Sequence, residues 1–169
     1  MTAVLAAGEG GTRGGALLVG ICFVLFVLTR LASRAGAPGH GHGDRAHVAR
    51  HEAAHAVAAR EVGGRVLSAR VDEGWLSGPY GRVQWDMSAR PLRAEVESNV
   101  AFLAAGRLAA PGTGCSGDMA EIGRQLRRLP PGDRAAVRAA GERRARQIVS
   151  SRRSEIDRVA AVLDQRGQL

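Results

Sequence analysis

The sequence predicts a mainly α-helical domain with one small β-hairpin, preceded by a single N-terminal transmembrane helix. Three observations predict it. Ala16 to Leu28 is almost wholly apolar, and no charge falls between Gly14 and Thr29. From Asp44 onward, long stretches carry apolar residues at spacings of three and four, the period of a helix packed on one side. Among them, Arg65 to Val71 and Arg82 to Met87 read as strands flanking a segment rich in turn residues.

Residues 1–13 are small and Gly-rich, an expected disordered N-terminus. Residues 14–32 are the expected membrane anchor. The apolar run alone barely crosses a bilayer core, which needs about 20 residues. Leu31 and Ala32 extend it once Arg30 snorkels to the headgroups. A cleaved signal peptide would end near Ala35-Gly36-Ala37, but Pro38 follows, and Arg30 and Arg34 crowd the site. Arg30, Arg34 and Arg45 lie on the C-terminal flank, against Arg13 alone on the other. The positive-inside rule then predicts a single-pass protein of the cell membrane with its domain in the cytoplasm. Residues 33–43 form a linker, in which His40 and His42 read as flexible linker residues rather than metal collectors. Residues 44–169 form the domain.

Within the domain, Asp44 is a good N-cap, and Arg45 to Val62 contains neither proline nor glycine. Gly63-Gly64 stop that helix. The two strands follow, joined by a long loop over Asp72 to Gly81 that holds Gly74, Gly78, Pro79 and Gly81. Trp85 is expected to pack under the hairpin, and Tyr80 to sit in its turn. Pro91 opens a helix to about Ala110, with Leu92, Val96, Val100 and Leu103 on one side. Asp118 begins another, to about Leu129, with Met119, Ile122 and Leu126 inward. Pro130-Pro131-Gly132 breaks the chain. Asp133 then caps a last helical region to about Gln165, with a break near Ser150-Ser151 and an apolar side of Ile148, Ile156, Val159 and Leu163.

Composition narrows the function classes. All 24 basic residues are arginine, and the net charge is +8. That balance suits nucleic acid or an anionic surface. Yet only 4 % of residues are aromatic, no nucleic-acid motif is present, and the arginines scatter along helices as a solvated face would. No nucleic-acid partner is expected. Without a lysine there is no phosphate-binding loop of the G-x-x-x-x-G-K type. Cys22 and Cys115 lie in very different settings, which argues against a disulfide framework.

The stretch that carries chemistry is His51-Glu52-Ala53-Ala54-His55, an H-E-x-x-H pattern. Histidines four apart on a helix stand one turn above each other on the same face, so both imidazoles can reach one metal ion. Val48, His51, Glu52, His55 and Ala59 recur along one stripe of this helix. Zinc suits the pattern: three protein ligands, an open position for water, and a carboxylate, Glu52, to take that water's proton. The plainer reading is an Ala-rich helix with two histidines by chance, but histidine is scarce, 5 in 169 residues.

The third ligand must come from elsewhere. A third histidine six residues beyond the second is absent, since Glu61 stands there. Glu73 is a candidate by order in the chain, but it falls in a turn beside glycine. That leaves Asp118, at the start of a helix after a Gly-rich loop. Cys115, three residues before it, reads as a small filler rather than a ligand.

These segments together resemble a family. His51 to Ala56, HEAAHA, is similar to the HEAGHA of the FtsH-type membrane-bound zinc metalloproteases. The AAGRLAA run within Asn99 to Ala110 resembles that family's AGRxAEE helix. Thr113 to Met119 resembles its T-G-A-x-x-D-L segment, and Ala145 to Leu169 its closing helices. The resemblance covers roughly Arg45 to Leu169 and implies a mostly helical peptidase domain, with zinc on His51, His55 and Asp118 and Glu52 as general base. The chain departs from the pattern in three places and lacks the family's ATPase module. Ala110-Pro111 replaces two glutamates, the loop before Thr113 is shorter, and Ala54 replaces a glycine.

The expected function is therefore a membrane-anchored zinc metalloendopeptidase that needs no ATP of its own and cuts unstructured proteins or peptides. A separate ATPase and further copies of the chain are compatible partners. The alternative is a non-catalytic adaptor with the peptidase fold, docked on membrane or protease partners. Retention of Glu52 with all three candidate ligands argues against it.

Overall fold

The computed structural model describes residues 44–74, 78–112 and 115–169. The elements run α1 (Arg45–Glu61), β1 (Gly64–Gly74), β2 (Gly78–Met87), α2 (Leu92–Ala109), α3 (Cys115–Arg127), α4 (Pro131–Ser151) and α5 (Arg153–Arg166). The fold is mainly helical with one two-stranded antiparallel sheet.

The transmembrane helix in the expected fold class needs correction. Among the described residues, no helix is long and apolar enough to cross a membrane. The reason is visible in the longest ones: α4 carries five arginines, Asp133 and Glu142, and α2 carries Arg93, Glu95, Glu97 and Arg107. The expected N-terminus, anchor and linker, with His40 and His42, lie outside the described residues.

Helix α1 is the centre of the domain. Asp44 caps it, its side chain accepting from the His47 backbone N–H at 2.8 Å. Its middle is buried all round rather than along one stripe: Val48, Ala49 and the whole run His51 to Ala59 are inside. A helix enclosed on every side needs small residues, because each neighbour must come close. The alanines supply this, and α1 packs against α2, α4, α5 and both strands.

The hairpin is longer than its composition suggests. Both strands run through the expected loop, pairing Val71 with Gly81, Asp72 with Tyr80 and Glu73 with Pro79. Gly78 takes positive φ (70°) beside the turn. A bulge between Val66 and Ser68 leaves Leu67 outside, 55 % exposed. Ala69 and Val71 are buried on the inner face, with Val66, Val83 and Trp85 packed beside them. Trp85 stacks on Phe102 of α2, ring centroids 4.9 Å apart. Tyr80 is a strand residue, and it is exposed.

The C-terminal tail secures the outer edge of β1. Val71 N–H donates to Gly167 O (2.8 Å) and Leu169 N–H to Ala69 O (3.0 Å). Arg45 ties α1 to the same corner, through Asp164 O at 2.8 Å and Glu73 Oε1 at 2.8 Å.

The remaining helices follow the apolar pattern, with shifts at their starts. Val96, Val100 and Leu103 of α2 are buried, but Leu92, in its first turn, is exposed. Helix α3 begins at Cys115, so Asp118 stands in its first turn, not at its cap. Pro130 occupies the N-cap of α4, and Asp133, one turn in, pairs with Arg93 instead. The helical region breaks at Arg152, which ends α4 and is the N-cap of α5. Ile148, Ile156 and Leu163 close the core.

Candidate metal centre

Three elements meet at the middle of α1. His51 and His55 come from α1, Asp118 from the first turn of α3, and α2 passes behind the imidazoles. His51 Nε2 and His55 Nε2 are 3.0 Å apart. Asp118 Oδ2 lies 3.1 Å from the first and 3.4 Å from the second. His51 is 3 % exposed and His55 4 %.

The donor set fits zinc. Two imidazole nitrogens and a carboxylate oxygen are its ordinary ligands, and donors around a tetrahedral zinc stand roughly 3.3–3.5 Å from one another. The three observed separations come within a few tenths of an ångström of that. Asp118 Oδ2 is buried yet accepts no hydrogen bond despite these short contacts. A carboxylate oxygen in that state is costly without a cation to face. The three atoms also form the only group of metal-binding donors among the described residues.

The second layer orients the first. His55 Nδ1–H donates to Phe102 O at 2.8 Å, inside the protein. That bond fixes the tautomer and turns the Nε2 lone pair toward His51 and Asp118. Phe102 also lies against the His55 ring, centroids 4.7 Å apart, and stacks in turn on Trp85. His51 Nδ1 is buried without a hydrogen-bond partner.

The electrostatics follow from burial and charge. Burial opposes ionisation of Asp118, but its contacts with His51 and His55 and their charge outweigh it, holding the carboxyl below the usual range. For His55, burial disfavours the charged ring, but contact with Asp118, the charges of Asp118 and Glu52, and the Phe102 carbonyl raise its pKa. Glu52 is raised, chiefly by burial; His55 and His51 pull it down, and Asp118 adds to the rise. The arrangement thus joins three side chains of metal-ligating type to a carboxyl biased toward holding a proton.

Other expectations land elsewhere. Glu73 is at the end of β1, two-thirds exposed and paired with Arg45 at 2.8 Å. Cys115 opens α3, half-buried, and does not join the metal-binding group.

Two further residues of the site are glycines that motif reading passes over. A Cβ on Gly106 of α2 would stand 2.5 Å from His55 Nε2 and 2.7 Å from His51 Nε2. A Cβ on Gly81 of β2 would overlap Glu52 Cγ and stand 2.6 Å from its Oε1. The available signal is a glycine inside a strand or helix pattern, which often marks close approach of another group.

No protein-family model and no curated protein matches the chain.

Proposed function

We propose that this protein is a zinc-dependent endopeptidase of the kind its H-E-x-x-H segment resembles. The observation that carries the reading is the convergence of His51 Nε2, His55 Nε2 and Asp118 Oδ2 in a buried spot, with the Glu52 carboxyl beside them. A structural zinc needs four protein donors and no neighbouring base; three donors with a carboxyl alongside suit a catalytic site.

Zinc held by these three residues would supply Lewis-acid polarisation of a peptide carbonyl and a water of lowered pKa. The chain's own groups do the rest. Glu52 accepts a proton from the attacking water and returns it to the departing amine. The Phe102 carbonyl holds His55 in the tautomer that leaves Nε2 free. The substrate is an unstructured polypeptide segment, because a peptide bond must be extended to reach a buried carboxyl and its metal-binding neighbours.

The test uses the purified full chain and an unfolded protein substrate. Cleavage should occur without ATP, stop with a chelator and return with zinc. Cleavage that survives complete metal removal would refute the reading.

A further inference from the structure

Gly81 and Gly106 are not required by their own backbones. Among the described residues, the glycines at positive φ are Gly63, Gly78, Gly112 and Gly167. Gly81 lies within β2 and Gly106 within α2, where glycine is a poor choice: it weakens a strand, and in a helix it is less favourable than alanine. What sets the two apart is what they touch. Gly106 faces the Nε2 atoms of His51 and His55; Gly81 faces the Glu52 side chain from Cγ to Oε1. Each contact joins backbone to a buried functional group with no room for a methyl, and the two groups belong to different parts of the chemistry.

We infer that Gly81 and Gly106 are positioning residues with separate tasks. Gly106 sets how closely α2 can back the two imidazoles, and so governs metal affinity. Gly81 sets where β2 holds the Glu52 carboxyl, and so governs turnover without governing metal binding. The division rests on the peptidase reading above, but its geometric content does not need the metal. The crowding at Gly106 falls on the donor atoms themselves. At Gly81 it falls on a side chain that is not one of the three donors, so the disturbance is expected to be largest there and weaker at the donors.

The test compares G81A and G106A in the full-length chain. In metal-free protein, labelled imidazole nitrogens of His51 and His55 should shift more in G106A than in G81A; the Glu52 carboxyl carbon should shift more in G81A than in G106A. With zinc added, G106A should bind it about 10–100-fold more weakly, the usual effect of disturbing a ligand's support. G81A should bind zinc as the wild type does and lose about 10²-fold in kcat with little change in KM, as misplacing a catalytic group by about 1 Å does. Shortening the carboxyl relieves the crowding, so G81A/E52D should be no slower than E52D alone. Unchanged spectra in both variants, or the same set of shifts in both, would overturn the inference whether or not the protein binds zinc. A wild type without zinc would instead defeat the peptidase reading while leaving the spectral comparison to decide the glycines.

Discussion

The domain carries two populations of charge that obey different rules. On the surface, arginines pair with carboxylates: Arg93 with Asp133 at 2.7 Å, Arg128 with Glu95 at 2.7 Å, Arg138 with Glu142 at 3.0 Å. In the interior, His51, Glu52 and His55 are buried, and half-buried Asp118 meets them from α3, with no arginine among the four. The surface pairs keep their hydration and lose little when broken. The interior group gives up hydration and recovers it only through mutual contact. Ion pairs spread over a surface say little about what a fold is for. A compact set of ionisable groups under an alanine-rich helix is expensive, and the function is to be sought there.

The largest contrast should come from the imidazoles. His51→Ala or His55→Ala leaves two donors, and zinc should be lost from the protein when the eluted chain is assayed for metal. Either variant retaining a full complement would break the comparison at its centre. Asp118→Ala should weaken zinc strongly, whereas Glu73→Ala, which removes only an exposed partner of Arg45, should leave it unchanged in a competition titration. The reverse order would move the third ligand to the hairpin.

Glu52→Gln separates chemistry from binding. Zinc should stay, and hydrolysis should fall by about 10²–10⁴-fold, the usual effect of losing a general base. Loss of zinc in step with activity would make Glu52 a structural residue.

A smaller effect distinguishes metal-free from loaded protein by pH. The folded pKa of His55 is raised above its ordinary 6.5, so in metal-free protein its contribution to stability is complete below about 6.5 and is lost as pH rises through the folded value. Zinc competes with protons for the same nitrogens, so zinc binding should strengthen over that interval. Thermal melts of the two forms should therefore diverge as pH rises; parallel curves would mean that His55 does not meet the metal. At the low end, Arg93→Ala should cost about 0.2–1 kcal/mol in denaturant unfolding, and less in high salt. A cost of several kcal/mol would erase the distinction between surface and interior.

Much of the site is legible in the sequence because it is local. The H-E-x-x-H spacing fixes two imidazoles on one face of a helix, and the Gly-rich approach to Asp118 places a carboxylate at a helix start. The helices are legible for the same reason: their apolar residues repeat at three and four. The hairpin is less so. Its glycines and Pro79 suggest a loop, but a two-stranded ribbon tolerates them, since its outer edges need few ladder bonds. The enclosure of α1 and the contacts of Gly81 and Gly106 are long-range, made by elements far apart in the chain, and leave no periodic trace. The hydrogen bond from His55 to Phe102 is of the same kind, since a backbone carbonyl has no sequence signature.

The central question is whether His51, His55 and Asp118 act as one metal site. The decisive measurement is elemental analysis of the full chain, wild type beside Asp118→Ala, after exhaustive dialysis in zinc-buffered solution. The wild type should hold one zinc per chain and the variant very little. No zinc in the wild type, or equal zinc in both, would show that the three residues are not one metal site.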